Sequence, residues 1–361
     1  MGLFSNYVIT KRLNVPVWLK IITPVIAIFA AMLIGSIFIA YAGANPLQAY
    51  FYILKGALGS MYSITETLVT ATPFLFTGLA VAVAFTAKFW NIGMEGQLYA
   101  GGLASVWVAL SFPELSSVIL ISLSLIAGFI AGGLWGMLAG YLKERFGANE
   151  VVTTIMLNYI MIFIIDIVLE GPWRNPITNW PQSPLIPREA SLPIIMNRTR
   201  LHLGVIIAVV CAVLVYILLT KTSLGYKIKA IGESHKAARY AGINISRTIL
   251  LMIFISGGLA GLAGTSQVLG VHQRLIREIS SGYGYSGVMI GLLGRLNPFG
   301  VILASVFFAA LITGSGLMQR MTGVPTALAD ILQGLALIMV LAGNILVNYQ
   351  IKRRASSESA I

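Results

Sequence analysis

Charge is what this chain lacks most. Only 10% of its 361 residues are Asp, Glu, Lys or Arg, while 57% are hydrophobic and the mean hydropathy is +0.87. No soluble globular domain carries such a balance, so the chain is expected to live in a bilayer. A single cysteine, Cys211, excludes an intrachain disulfide; within an apolar run it reads as a small buried hydrophobe. The three histidines, His202, His235 and His272, have no metal-ligand spacing, so neither a metal nor another cofactor is expected. No G-x-x-x-x-G-K-[ST] string occurs, which excludes ATP hydrolysis by a phosphate loop, and no H-E-x-x-H occurs, which excludes the matching zinc chemistry. Acidic residues are half as many as basic ones, giving a net charge of +12. Membrane orientation accounts for that excess without nucleic acid.

What the chain has is a series of apolar runs of bilayer length, near 20 residues each. They fall near 17–41, 64–86, 95–111, 116–141, 151–169, 203–220, 248–270, 285–296, 298–318 and 326–347. The expected fold is therefore all-α: one polytopic transmembrane domain over 1–361 with about ten helices. The third and eighth runs are short or broken by glycine and are candidates for re-entrant segments. With both termini in the cytoplasm, the inner segments hold about two-thirds of the Lys and Arg, as the positive-inside rule requires. Two loops stand out. Residues 171–202 carry six prolines with Trp173 and Trp180, which predicts an extended outer crossover. Residues 221–247 form the largest cytoplasmic loop.

Polar residues inside the apolar runs need a reason. The segment FWNIGMEGQLYAGG from Phe89 to Gly102 contains Asn91, Glu95, Gln97 and Tyr99, and a carboxylate at the centre of a bilayer costs roughly 2.5 to 3.5 kcal/mol. Its glycines free backbone groups, which a membrane tolerates where irregular backbone is buried or lines a cavity. One reading makes Asn91, Glu95 and Tyr99 a helical face along a translocation path. The other makes Glu95 the partner of N–H groups freed at Gly93 and Gly96. Thr154 and Asn158 share a face of the next-but-one run and fit either an interhelix hydrogen bond or a path contact. Asn149 and Glu150 fit a helix N-cap with a dipole-matched acid. Gly128, Gly132, Gly136 and Gly140 recur every four residues, as do Gly257 and Gly261, spacings that let helices approach closely in lipid.

In the cytoplasmic loop, Glu233 and Ser234 suit a helix start, Ala237, Ala238 and Ala241 make a small face, and Gly242 supplies a stop. A basic surface loop is one reading. The other is a short helix, Gly232 to Gly242 with Arg239 at its centre, that docks on a cytosolic partner.

Four strings decide which family this chain looks like. KTSLGYKIKAIGESHKAARYAGIN, residues 221–244, resembles the cytoplasmic loop of the branched-chain amino acid, simple-sugar and nucleoside permeases of ABC importers. The stretch from Asn91 to Gly101 and GANEVVTTIMLNYI, Gly147 to Ile160, resemble the nucleoside permeases that work with BMP-type lipoproteins, and GYGYSGVMIGLLGRLNPFG, Gly282 to Gly300, is similar to their second-half motif. Trp90 and Tyr226 are small departures. The resemblance covers residues 64 to 345 and implies a type II importer permease in a bacterial plasma membrane, a transport subunit rather than an enzyme. Its implied partners are a second homologous permease, two ATP-binding subunits and an extracellular substrate-binding lipoprotein, besides membrane lipid; its implied cargo is a nucleoside. In that frame Gly232, Glu233, Ala237, Ala238, Arg239 and Gly242 would couple to the ATPase. Asn91, Glu95, Gln97, Tyr99, Thr154 and Asn158 would border the path. Arg174, Arg274 and Arg277, in outer loops, would meet the lipoprotein, with lipid headgroups or Glu278 as the competing partners. The alternative class, an ion-gradient-driven transporter, would need embedded acids or histidines in a relay.

Overall fold

The computed structural model describes residues 7–11, 16–175 and 179–353. Arg12 and Arg354 among the basic residues that set the expected orientation, and Pro176 of the outer loop, lie outside the described residues. Almost everything described is helix, in two compact units: a larger one over Tyr52–Leu317 and a smaller one from the two ends of the chain, up to Phe51 and from Met318.

In the smaller unit, β1 (Tyr7–Lys11) pairs antiparallel with β2 (Tyr349–Arg353), Tyr7 lying opposite Arg353. Helix α1 (Val17–Tyr41) packs on α13 (Ala327–Asn348). The contact is close because Gly35 leaves room for Leu332, and Gly343 for the Thr23 methyl, 2.7 Å from where a Cβ would stand. The Tyr50 hydroxyl donates to the Met32 carbonyl at 2.5 Å. Tyr50 belongs to α2 (Pro46–Leu58), an element that the reading of apolar runs does not predict. It is short, and Ala49, Ile53 and Ala57 are buried while Leu47, Phe51 and Leu54 are exposed, so it is apolar on two sides without reaching the length of a span.

The larger unit contains α3 (Met61–Thr86), α4 (Met94–Ser111), α5 (Ser117–Phe146), α6 (Glu150–Glu170), α7 (Gly204–Lys221), α8 (Ser223–Glu233), α9 (His235–Tyr240), α10 (Ile245–Gln267), α11 (Tyr283–Leu293) and most of α12 (Pro298–Thr322). Helices α3, α4, α5 and α10 pack on one another as its centre. Small residues make this possible: a methyl at Gly132 would strike the Gly257 carbonyl, one at Gly261 the Gly128 carbonyl, and one at Gly101 the backbone of Gly261. The four-residue glycine spacing is thus used inside the chain, where backbones touch and every added methyl would separate them.

Among the described residues, seven helices are long and apolar enough to cross a membrane: Ile22–Tyr41, Met61–Thr86, Ser117–Phe146, Glu150–Glu170, Gly204–Lys221, Ile245–His272 and Pro298–Thr322. The three other expected runs are helical but differ in kind. α4 carries the polar residues, the apolar part of α13 is short, and α11 has 11 residues, about 17 Å of helix against a hydrocarbon core of roughly 30 Å. The N-cap reading at Asn149 agrees with the structure: its side chain accepts from the N–H groups of Val151 (3.0 Å) and Val152 (3.3 Å), and Glu150 lies in the first turn of α6.

Candidate functional site

Between Thr86 and Met94 the chain leaves the helical conformation, with Lys88 at φ +56°. Helical periodicity therefore does not extend back to Asn91, and Asn91, Glu95 and Tyr99 do not share one helical face. Each turns to a different neighbour. The freed backbone groups are answered one by one by side chains. Asn158, from the middle of α6, donates to the Ile92 carbonyl at 3.0 Å and accepts from the Gly96 N–H at 2.8 Å. Thr154 accepts from the Ile92 N–H at 3.2 Å. Asn91 accepts from the Gly93 N–H at 3.0 Å, and its amide exchanges hydrogen bonds with Gln97 at 3.0 and 3.1 Å. Asn91 also donates to Ser256 on α10, whose hydroxyl donates to the Ala80 carbonyl. All of these residues are buried, Asn91 and Asn158 completely. Unpaired, each backbone group would cost several kcal/mol in lipid.

Glu95 turns the other way. Its Oε2 accepts from the Gly284 N–H at 2.8 Å, and the Ser280 hydroxyl and Tyr285 N–H are also directed at the carboxylate. Gly284 and Tyr285 belong to the first turn of α11, which Ser280 precedes and whose own flanking residue, Gly282, has no side chain to cap it. Glu95 is therefore an N-cap supplied from another helix, its charge set against the positive end of α11. The N–H groups at Gly93 and Gly96, by contrast, belong to Asn91 and Asn158. Gly284 is obligatory here, since a Cβ on it would lie 2.5 Å from Glu95 Cα and 2.7 Å from Oε2. Tyr99, one turn further along α4, donates to the Arg277 carbonyl at 2.7 Å.

Within residues 221–247 the short helix forms where the sequence indicates. Ser234 accepts from the Ala237 N–H at 3.3 Å, and Gly242 (φ +75°) follows the last turn of α9. It is not an unsupported helix, however. Ala238 is 2% exposed, with α8 and α10 alongside, and α8 precedes it as a second helix that the sequence reading does not anticipate. Gly232 presses on the end of α3: a methyl there would strike the Thr86 carbonyl and lie 3.2 Å from Ala87 Cα. Glu233, Ala237 and Arg239 remain exposed beside His235, Lys236 and Tyr240.

Near the end of α6, Arg277 pairs with Asp166 at 2.7 Å and with Glu170; among the described residues its pairing is not with Glu278. Arg174 is exposed, its Nε donating to the Asn179 carbonyl at 3.0 Å, and Arg274 is half-buried. Sequence reasoning missed four features of this region. Glu66 at the start of α3 is buried and takes a two-point ion pair from Arg200 of the outer loop. α10 ends in a π-helical turn, Val268–His272. The outer loop supplies backbone partners to that irregular stretch: Leu192 N–H to the Leu269 carbonyl, Ile186 N–H to Gln273 and Ser183 N–H to Leu275, each at 2.9 Å. His202 is wedged between Gly204 and Gly270, its Nδ1 accepting from the Gly204 N–H at 3.1 Å. Burial pushes its pKa down to about 4, so the ring is neutral at physiological pH. Only the small residues at 204 and 270 hinted at any of this.

Comparison with known proteins follows this geometry. The model of the family described as branched-chain amino acid transport system / permease component matches residues 63–341. A nucleoside ABC transporter permease protein of Lactococcus lactis is 35% identical over 343 residues, 92% of this chain and 94% of the relative. A guanosine ABC transporter permease protein of Bacillus subtilis is 34% identical, covering 91% of this chain and 94% of its own. A glucose ABC transporter permease protein of Haloferax volcanii is 33% identical, covering 94% and 92%. With its apolar helices and its polar breaks accounted for, this multi-pass membrane protein belongs to the branched-chain amino acid transport system permease component family.

Proposed function

We propose that the chain is the permease subunit of an ATP-driven ABC importer that carries nucleosides across the plasma membrane into the cell. The observation that carries the cargo assignment is the match, over more than nine-tenths of the chain, to two permeases named for a nucleoside and for guanosine. ATP hydrolysis belongs to separate subunits, and a second homologous permease provides the other wall of the path. Both termini lie in the cytoplasm, in keeping with the positive-inside bias and with the antiparallel pairing of β1 and β2. α4, α11 and α13 complete a ten-helix, type II importer arrangement in which α4 and α11 begin inside the bilayer.

In this reading Asn91, Gln97, Thr154 and Asn158 hold the break before α4 rigid beside the path, Glu95 holds the start of α11, and Tyr99 ties α4 to the outer segment. The exposed side of α9, with Glu233, Ala237 and Arg239, meets the ATPase; Ala238 and Gly232 seat α8 and α9 on the permease, and Gly242 ends the unit. A push on α8 reaches Thr86 and Ala87, where the break starts. Arg174, Arg274 and Arg277 form the basic part of the lipoprotein surface, where charges set encounter rates more than affinity.

The test is uptake of labelled guanosine, adenosine and uridine by the complete importer in proteoliposomes, with unlabelled glucose as competitor. ATP-dependent nucleoside accumulation that glucose leaves unchanged is the expected result. Accumulation of glucose alone would replace this reading with a sugar importer, which the Haloferax relative favours.

A further inference from the structure

The residues that the sequence singled out as path residues are consumed by the protein itself, which leaves open what the cargo touches. At the level of the buried network, two side chains point the other way. Tyr159 sits in the middle of the 21-residue α6 and is 52% exposed; Tyr285, in the first turn of α11, is 39% exposed. The Tyr285 hydroxyl is 3.4 Å from the Asn158 amide, which places it at the same depth, and the two phenols are within electrostatic range of each other. Among the described residues the Tyr159 hydroxyl has no hydrogen-bond partner.

That position is unusual. Tyrosines of membrane proteins collect at the two interfaces, where the ring is in lipid and the hydroxyl in water. A phenol open to hydrocarbon at the midplane would leave its O–H unsatisfied, at a cost of about 1 to 3 kcal/mol. Midplane exposure of two of them therefore marks a surface that does not face lipid. Its neighbours along α6, Met156 and Phe163, are exposed and apolar, and the nearest carboxylate, Glu95, is 3% exposed and committed to α11. Such a surface suits a cargo that is flat, uncharged and edged with hydroxyl or amide groups.

We infer that Tyr159 and Tyr285 form the cargo-contacting wall of the path, their rings stacking on the base of a nucleoside and their hydroxyls meeting its polar edge. The assignment rests on the import reading and names the group on this chain that would recognise the cargo. Base–aromatic contacts tolerate any base, because each presents a π-face. Removing a ring should therefore weaken all nucleosides alike.

Two measurements on the complete importer test this. In a Cys211→Ser background, Tyr159→Cys and Tyr285→Cys are exposed in proteoliposomes to a charged, membrane-impermeant methanethiosulfonate. Both should be modified, and guanosine should slow the modification. In uptake, Tyr159→Phe and Tyr285→Phe, which keep the ring and lose the hydroxyl, should lower the rate less than the Leu changes, and each Tyr→Leu change should lower nucleoside uptake about tenfold, the scale of one lost stacking contact, with the complex still assembled. Cysteines that only a lipophilic maleimide reaches would overturn the inference, since the wall would then face lipid. So would modification that guanosine does not slow, Leu variants that transport at the parent rate, or Leu variants that fail to assemble with the second permease. Failure of the import reading looks different: the parent itself accumulates no nucleoside.

Discussion

The two places where the helices break inside the larger unit are solved by opposite chemistry. Before α4 the chain is irregular for only a few residues; Asn91, Thr154 and Asn158 answer the backbone at Ile92, Gly93 and Gly96, and the Glu150 carboxylate, paired with Lys143, takes the Trp90 N–H. After α10 the irregular stretch runs from the π turn to Gly282; its partners are the backbone of the outer loop and the Ser183 and Tyr99 hydroxyls, and one carboxylate meets the start of α11. From Asn91 to Gly96 the first break is therefore held by buried neutral side chains, Asn91, Thr154 and Asn158, and that part is indifferent to pH and salt. The second depends on a surface loop, on an ion pair and on a charge against a helix end, all of which can be perturbed from outside the membrane. In the proposed import reading, an arriving lipoprotein would meet this adjustable part.

The sharpest way to break the contrast is Gly284→Val. Its side chain would enter the backbone of Glu95, and overpacking of this kind costs about 1 to 3 kcal/mol or more; detergent-solubilised protein should lose most of its monodisperse yield. A Cβ on Gly93 in the first break meets Thr154 Cβ at 3.0 Å, so Gly93→Ala should be milder by the same assay. Asn158→Ala comes next. It strands the Ile92 carbonyl and the Gly96 N–H, each worth about 1 to 3 kcal/mol when buried, and should lower the melting temperature at every pH.

The pH dependence should arise instead at the second break. His202 titrates near 4 when folded and near its ordinary 6.5 when unfolded, so between those values the unfolded chain binds more protons. Stability is full above pH 6.5 and falls as the pH drops toward 4, by at most about 3 kcal/mol. Thermal melts from pH 7.5 to 4.5 should show that slope in the parent and a flatter one in His202→Gln; equal slopes would remove His202 from the account. The smallest effect is expected from Glu95→Gln. The amide still accepts from the α11 N–H groups and forfeits only the charge–dipole term, about 0.3 to 2 kcal/mol. Near-parental uptake with a slightly lowered melting temperature would place Glu95 in the scaffold, and abolished uptake in a stable protein would place its charge in the transport cycle.

Composition and period reach the class of this protein, the position of most helices and the fact that Asn91–Tyr99 is special, because each is a local property. Asn149 as a cap, the glycine spacing and the Ser234–Gly242 turn are local too. The partner of Glu95 lies 189 positions away, and nothing in either segment names the other. The same holds for Arg277 with Asp166 and for Arg200 with Glu66. Helix α8 escaped notice since its buried side, Gly225, Ile228, Ile231 and Gly232, is sparse and set among lysines.

The smaller unit has a consequence for how the protein is made. α1 is separated in the chain from its packing partner α13 by the helices of the larger unit. Chains are synthesised at about 5 to 20 residues per second, so α1 waits with that side unmatched until α13 follows. During that interval α2, whose Tyr50 hydroxyl reaches the Met32 carbonyl, is its neighbour within the unit. A ribosome that stalls before α13 therefore releases a chain whose larger unit is complete and whose first helix is unpaired, a ready mark for membrane quality control.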